Sequence, residues 1–219
     1  MNKEIIQIQL GLFFKSDYND SFEKFALKLK DKLGESKITQ YIPITNDAPP
    51  EIPRLILSYE KFNINVSRNR FDLFTKDVEL IKQNIENIVK SFEEFSISIF
   101  RVGFVKNFFV DGTMEDLKKV LVQDKLDKMS NLKELNVRIN NNKTIEGYNC
   151  NSIENLSNGN VMIKNADGTT QNKNGLIAMR DVNTAVDPAI ERISLNLIEI
   201  NKLLTGFDAE SGQFILVDC

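Results

Sequence analysis

The chain has 219 residues, of which 42% are hydrophobic and 27% are charged, as in an ordinary globular protein. A chain of this length buries enough surface to form a core without disulfides or metal. It contains no histidine, which excludes histidine-based catalytic triads, histidine metal ligands and imidazole acid–base catalysis. Its formal net charge is −3, whereas nucleic-acid-binding proteins usually carry a basic excess.

The cysteines and the N-terminal segment indicate the compartment. Cys150 and Cys219 are too far apart for a CxxC or metal-binding motif, so we expect two reduced thiols. The apolar residues near the start alternate with Gln7 and Gln9, which is typical of a half-buried strand rather than of a signal peptide. No segment has the roughly 20 apolar residues that a membrane-spanning helix needs. We therefore expect a cytoplasmic protein that does not contact a membrane.

Hydrophobic periodicity predicts the elements of the first half. A strand at about 4–14 is followed by a helix at 17–33, whose apolar residues recur with the period of one helix face. Four prolines lie within residues 43–53 and predict a stiff exposed linker, the best internal boundary of the chain. Alternation then predicts a hairpin that turns at Glu60–Lys61, with pairing that continues toward Leu73.

A helix, a long strand and a short helix are predicted next. A continuous apolar stripe predicts a helix over 76–94. The strand at 96–110 carries phenylalanines and valines on one face. Arg101 and Lys106 interrupt its apolar run, as expected for a sheet that is solvated on one face. A capping-box pattern at 113–116 predicts a short helix that ends at about 122.

The second half is rich in strands and polar residues. A strand at 135–139 and a partner at 144–156 are predicted to flank a turn at Asn140–Lys143. A longer hairpin is predicted to pair 160–165 with 175–186. Its turn signals are the dipeptides Asp167–Gly168 and Asn174–Gly175.

The best-specified helix is predicted near the C-terminus. Asp187 is a favourable N-cap, Pro188 is a favourable first helical residue, and an apolar stripe continues to 205. Gly206 is expected to end this helix. The apolar residues after Gln213 predict a short closing strand.

These elements predict a single α+β domain over residues 1–219. Its mostly antiparallel sheet is expected to pack the helices 17–33, 76–94 and 188–205 on one face.

The order hairpin, helix, strand occurs twice, at 55–110 and at 160–218. This order suggests an internal duplication of a strand-strand-helix-strand unit, with candidate halves 1–122 and 131–219. The alternative is a chance recurrence, because α+β proteins often repeat such orders.

Common catalytic and cofactor motifs are absent from the sequence. It has no Walker-type phosphate loop, no glycine-rich dinucleotide motif and no G-x-S-x-G elbow. The carboxylate pairs Glu93–Glu94 and Glu115–Asp116 lie at predicted helix ends, where capping and dipole effects explain them. We therefore predict no catalytic residue, no metal ligand and no cofactor.

Four further acidic residues could gather around a hard cation. No EF-hand spacing supports such a site, and a solvated surface is the better interpretation. The four residues are Asp181, Asp187, Glu191 and Asp208.

Basic residues on predicted strands are the candidate binding residues. Arg68 and Arg70 flank Asn69, so both are predicted to project from one face of their strand. Arginine binds phosphates and carboxylates through its planar fork, so an arginine-bearing sheet face would suit phosphates or an acidic partner. The alternative is that these are ordinary solvated positions paired with nearby carboxylates. The candidate set is Arg68, Arg70, Arg101, Lys106 and Arg180.

The chain has 15 phenylalanines and no tryptophan. Most phenylalanines are expected on the sheet face opposite the arginines, where a core would form. The doublets Phe13–Phe14 and Phe108–Phe109 place one ring on each face of their strands. The exposed ring of each doublet is a candidate contact for a partner.

Three short motifs follow one another in the central segment. They are Val66-Ser67-Arg68-Asn69-Arg70 at a strand end, the helix 76–94, and the strand residues Arg101–Asn107. Over about residues 55–110 the chain therefore resembles a sporadically distributed bacterial protein family of unknown function. The resemblance implies no particular activity. The patchy distribution of that family implies an accessory gene, such as one of a mobile element or of phage–host conflict.

These observations favour a non-enzymatic protein-interaction module. It would bind another protein, or form a homodimer, through an exposed sheet face or strand edge. The alternative is a nucleic-acid- or nucleotide-binding factor that uses the arginine-bearing sheet face. A third interpretation is an enzyme that depends on carboxylates and lysines, which a cleft with acidic groups of raised pKa would support.

Overall fold

The computed structural model describes residues 2–14, 22–45, 47–119, 134–164, 169–186 and 194–217. These residues form nine strands and four helices. The strands are β1 (Lys3–Phe14), β2 (Ile38–Tyr41), β3 (Leu55–Ser58), β4 (Phe62–Val66), β5 (Arg70–Thr75), β6 (Ile99–Val110), β7 (Asn136–Ile145), β8 (Tyr148–Lys164) and β9 (Thr170–Thr184). The helices are α1 (Phe22–Leu33), α2 (Val78–Glu94), α3 (Met114–Lys119) and α4 (Leu197–Glu210).

All nine strands join one antiparallel sheet in the order β2-β3-β4-β5-β1-β6-β9-β8-β7. The first strand of the chain, β1, lies at the centre of the sheet between β5 and β6. The ladder between β6 and β9 ends at Leu176, so the outer part of the β8–β9 hairpin extends beyond β6. The predicted α+β class with a mostly antiparallel sheet is confirmed.

One face of the sheet carries the main core. Leu10 and Leu12 of β1 are fully buried there, because every second residue of a strand points to the same side. Helices α1, α2 and α4 bury their apolar residues against this side. The Phe92 ring of α2 lies at the centre, with its centroid 5.3 Å from that of Phe14 and 5.2 Å from that of Phe25. Tilted rings at these separations are a favourable aromatic arrangement.

A second, smaller core lies farther along the same face. It contains Phe108 and Val110 of β6, Leu117 of α3 and Leu216 of the C-terminal segment. The described helices therefore pack on one face of the sheet, as predicted.

Several predicted elements are confirmed at residue level. β3 and β4 form a hairpin around Glu60–Lys61, and β4 pairs with β5 through Leu73. Helix α2 begins after Asp77, whose side chain accepts a hydrogen bond from the Glu79 backbone N–H at 3.0 Å. The start of the predicted helix at 17–33 lies outside the described residues.

The proline-rich segment 43–53 is a loop between neighbouring strands of one sheet. β2, which was not predicted, precedes the loop and pairs with β3, which follows it. The guanidinium of Arg54 donates to the carbonyl oxygens of Ile44 at 3.2 Å and Thr45 at 3.3 Å. The prediction of an internal boundary here is wrong, because the sheet continues on both sides of the loop.

The turns of the second half differ from the prediction. β7 runs through Asn140–Lys143 without turning, and the turn falls at Glu146–Gly147, where φ is 51° and 83°. Glycine adopts positive φ without strain, so Gly147 favours this turn. The dipeptide Asn174–Gly175 lies inside β9 and not at a turn. Glycine fits residue 175 because a Cβ there would fall 2.6 Å from the Phe109 ring. Asp167–Gly168 lies outside the described residues.

The last helix begins after Asn196, later than predicted. The Asn196 side chain accepts a hydrogen bond from the Glu199 N–H at 3.0 Å, and the Glu199 carboxylate accepts one from the Asn196 N–H at 2.8 Å. This reciprocal pair is a capping box. Gly206 lies inside α4 rather than at its end. The predicted cap at Asp187–Pro188 lies outside the described residues.

The predicted duplication and closing strand are both wrong. Helix α2 is followed by β6, which joins the sheet, whereas α4 is followed by an irregular segment over 212–217. The carboxylate of Glu154 accepts the backbone N–H groups of Ile215 at 2.7 Å and Leu216 at 2.8 Å. A side chain therefore satisfies two donors that the predicted strand would have paired with a neighbouring strand.

We expect Gly206→Ala to destabilise the protein, although alanine has the higher helix propensity. Propensity alone would stabilise α4 by about 1 kcal/mol. The new Cβ, however, would lie 2.5 Å from Cγ2 of Ile145 on β7, and such overpacking typically costs about 1–3 kcal/mol. Urea unfolding should show a net loss of stability, and the same change made in an Ile145→Ala background should cost much less.

Gly212→Ala is the matched control, since its Cβ would approach no closer than 3.4 Å to the Ala209 carbonyl oxygen. A gain of stability in Gly206→Ala would contradict the packing of α4 against β7.

Candidate functional site

The sheet surface opposite the helices is the candidate functional site, and we call it the open face. It consists of the alternate strand residues that point away from the core, such as Gln9, Gly11 and Phe13 of β1. All helices in the described ranges bury their apolar residues against the other side of the sheet. Strand alternation therefore places the polar residues of the central strands together on the open face.

Two arginines stack on one phenylalanine at the centre of the open face. Phe13 of β1 is in register with Arg70 of β5 on one side and with Arg101 of β6 on the other. The guanidinium carbons of Arg70 and Arg101 lie 4.8 Å and 4.7 Å from the ring centroid. A guanidinium is attracted to the negative face of an aromatic ring. We call these three residues the Arg–Phe–Arg cluster.

Two glycines make room for this cluster. Gly11 of β1 and Gly103 of β6 are directly opposite each other. A Cβ on Gly11 would lie 3.3 Å from Cε2 of Phe13, and a Cβ on Gly103 would lie 3.6 Å from the same atom. The absence of side chains therefore lets the Phe13 ring lie close to the backbone between its two arginines.

A carboxylate orients the first arginine. Asp72 Oδ1 accepts hydrogen bonds from Arg70 Nε and from Gln9 Nε2, both at 2.8 Å. Burial raises the pKa of the Asp72 carboxyl, and the hydrogen bond from Gln9 and the charge of Arg70 partly oppose this rise. The plane of the Arg70 guanidinium is set by this contact and by the Phe13 ring.

A chain of amides orients the second arginine. Arg101 Nη2 donates to Asn183 Oδ1 at 2.9 Å, and Asn151 Nδ2 donates to the same oxygen at 3.1 Å. The Asn183 amide nitrogen donates to Asp181 Oδ1 at 2.8 Å. Asn183 is 5% exposed, so its amide is a buried hydrogen-bonding group that is satisfied on both sides.

The five predicted binding residues do not share one surface. Arg70 and Arg101 lie together on the open face. Arg68 lies in the loop between β4 and β5, where its backbone N–H donates to the Pro50 carbonyl oxygen at 3.0 Å. Lys106 and Arg180 are buried on the opposite, helix-bearing face.

The phenylalanines are also distributed differently from the expectation. The doublets do place one ring on each face, as predicted. Phe13 and Phe109 thereby lie on the arginine-bearing side, so the expected separation of aromatic and arginine faces does not hold at these positions. Phe13 is half-buried and Phe109 is 5% exposed, which leaves Phe13 as the more accessible ring.

On the helix-bearing face, Arg180 is the centre of a buried ion network. Its side chain is 2% exposed. Nη1 lies 3.3 Å from the Glu154 carboxylate, and Nη2 lies 2.9 Å from the Glu210 carboxylate and from the Ser152 hydroxyl. Glu154 is 1% exposed and also accepts two backbone N–H groups of the C-terminal segment. The network therefore joins β8, β9, α4 and that segment.

Two lysines complete the charge balance beneath α4. Lys106 of β6 binds the Asp208 carboxylate, and its ammonium also donates to the Asp208 carbonyl oxygen at 3.3 Å. Lys143 of β7 donates to both carboxylate oxygens of Glu210, at 2.7 Å and 2.9 Å. Burial raises the pKa of Glu210, but hydrogen bonds from Lys143 and Ser152 and the nearby positive charges outweigh it, and the net shift is downward.

The four acidic residues considered as a cation site do not come together where the structure describes them. Asp181 lies on the open face and Asp208 lies on α4 at the other face, while Asp187 and Glu191 lie outside the described residues. Within the described ranges, no group of three or more acidic or cysteine side chains could hold a metal ion. No helix of those ranges is both long and apolar enough to cross a bilayer.

No protein-family model matches the chain, and no curated protein matches it significantly. We therefore infer function from the residues of the open face.

We expect Arg180→Ala to reduce the free energy of unfolding by about 3–5 kcal/mol. The change leaves the carboxylates of Glu154 and Glu210 buried without their guanidinium. Lys90→Ala, which removes an exposed helical ion pair, should cost only about 0.5 kcal/mol. Denaturant titration measures both changes.

Ser152→Ala tests the same network more mildly and should cost about 1 kcal/mol. Equal, small losses in the arginine, lysine and serine variants would show that the network does not support the fold.

The lowered pKa of Glu210 predicts an acid-dependent loss of stability. A carboxyl whose pKa falls on folding stabilises the native state above its unfolded pKa, near 4.5, and this contribution is lost as pH falls through the lower folded pKa. Glu210→Gln should therefore be less stable than wild type at neutral pH, and the two should converge in acid. Unfolding curves across the acid range check this. A difference that is independent of pH would contradict the assignment.

Proposed function

We propose that the protein is a non-enzymatic interaction module whose open face binds a partner protein through the Arg–Phe–Arg cluster. The observation that carries this proposal is the stacking of Arg70 and Arg101 on a half-buried Phe13, at the centre of a sheet surface that none of the described helices covers. Arginine and aromatic residues are enriched at the energetic centres of protein interfaces.

The cluster is preorganised, which favours its use in binding. The Phe13 ring, Asp72 and Asn183 already hold the two guanidinium groups in place. Binding therefore loses less side-chain entropy than it would with unconstrained arginines. The planar guanidinium groups of Arg70 and Arg101 suit the carboxylates or backbone carbonyl groups of a partner.

The charge around the cluster favours a protein partner over nucleic acid. Asp72 and Asp181 lie among the arginines on the open face, and the whole chain has a net charge of −3. A phosphate backbone bound to Arg70 and Arg101 would also lie near these carboxylates, and like charges repel. A protein surface can match both signs of charge.

The enzyme interpretation has less support from the geometry. Lys106 and Lys143 bind Asp208 and Glu210 beneath α4, where these pairs support packing. Asp72, whose pKa is raised by burial, faces Arg70 and Gln9, and both side chains act on it only as hydrogen-bond donors. The resemblance to a sporadically distributed family supports an accessory role for the proposed module, such as one in mobile elements or phage–host conflict.

Site-specific photocrosslinking in cells tests the proposal. A benzophenone amino acid at Val105, beside the cluster on the open face, should yield adducts with a defined polypeptide. The same amino acid at Lys90 on α2 should not. Arg70→Gln with Arg101→Gln should lower the adduct yield by about 30-fold, the effect of losing about 2 kcal/mol at an interface centre.

The matched control is Lys90→Gln with Lys119→Gln, which removes two cations from exposed helix surfaces. This variant should crosslink like the wild type. Equal adducts from both benzophenone positions would overturn the proposal. Two results would instead establish the nucleic-acid alternative. The adducts would be degraded by nuclease, and the affinity of the protein for its ligand would fall steeply as salt increases.

A further inference from the structure

The two edges of the sheet are built differently. The edge strand β2 has four residues and is followed closely by Pro43. Proteins commonly limit edge pairing by such short strands and prolines. The opposite edge strand, β7, has ten residues, contains no proline and pairs with β8 without a register shift. Among the described strands, β7 has a neighbour on one side only.

The hairpin geometry identifies the backbone groups that β7 presents at this edge. Ile145 and Tyr148 flank the two-residue turn and are in register. In such a hairpin the flanking residues exchange hydrogen bonds, and every second residue along the strand repeats this pattern. Arg138, Asn140 and Asn142 therefore direct their backbone N–H and C=O groups away from β8.

We propose that this edge binds a second copy of the same strand, so that two protomers pair antiparallel about Asn142. Directly opposite residues must lie on the same sheet face, so the register changes only in steps of two. Centring the pair on Asn142 places apolar residues opposite each other. The pairs within β7 are Ile139 with Ile145, Asn140 with Thr144, and Asn141 with Lys143, each formed twice, and Asn142 lies opposite its own copy. Glu146 is outside this ladder because it lies in the turn after β7.

Neighbouring registers lack this match. Centring on Lys143 places Asn141 opposite Ile145, and centring on Asn141 places Ile139 opposite Lys143. Each of these registers puts an apolar side chain opposite a polar one. Lys143 is already bound to Glu210 within its own protomer, so its charge does not prevent another strand from pairing with β7.

The proposed pairing has a consequence for the open face. The two-fold axis of antiparallel edge pairing runs perpendicular to the sheet, so both open faces would lie on the same side of one continuous sheet. Two Arg–Phe–Arg clusters would then be available to a partner with repeated sites, which increases avidity. The inference does not rest on the proposed function, because it uses the strand edge rather than the face.

A charge-exchange experiment tests the register. At tens of micromolar, the full chain should have twice the 25.0 kDa protomer mass by light scattering and native mass spectrometry. Asn142→Lys and Asn142→Asp should each be monomeric, because residue 142 lies opposite its own copy and each change places like charges there. An equimolar mixture of the two variants should form a heterodimer, in which these two charges are opposite.

Lys90→Gln, which changes the charge by one unit on α2 as Asn142→Asp does on β7, is the control and should remain dimeric. Asn142 is exposed, and thermal unfolding should show that all three variants remain folded. A monomeric wild type, dimeric single variants, or a mixture that forms no heterodimer would each overturn the proposal.

Discussion

The buried guanidinium of Arg180 joins parts of the chain that are distant in sequence. It lies between the carboxylates of Glu154 and Glu210, and Glu154 in turn binds the backbone of the C-terminal segment. A buried charge without partners costs several kcal/mol, so α4 and the segment 212–217 must lie where they satisfy it. The position of the last helix on the sheet, and with it the separation of the two apolar clusters, depends on this requirement.

The same residue type has opposite roles on the two faces of the sheet. Arg180 is enclosed by carboxylates beneath α4 and supports packing. Arg101, on the neighbouring strand β6, lies on the open face, where Phe13 and Asn183 hold its guanidinium at a surface that no described helix covers. The proposed binding module depends on this difference, because only an arginine outside the core can contact a partner. In this proposal, strand alternation places the residues that support packing on one face of the sheet and those that contact a partner on the other.

Part of the candidate site is visible in the sequence, and part is not. The prediction that Lys106 and Arg180 are binding residues is wrong. The signal was present, because alternation places Lys106 inward, two residues from both Phe104 and Phe108, and Arg180 inward, between Ala178 and Val182. The Phe13–Phe14 doublet correctly indicates a ring on each face. The partners of these residues could not be predicted, because Asp72 and Asn183 become neighbours of the cluster only through the order of strands in the sheet.

The sequence by itself determined the α+β class, the central hairpin, helix α2 and the helix-bearing face, because each depends on a local period of apolar residues. It did not determine the turns of the second half, since glycine also occurs where a neighbouring side chain needs space, as Gly175 does beneath Phe109. Only the tertiary structure decided that β1 lies at the centre of the sheet and brings Arg70 and Arg101 onto one ring. That arrangement arises from pairing between strands that are far apart in the chain, and no local sequence pattern indicates such pairing.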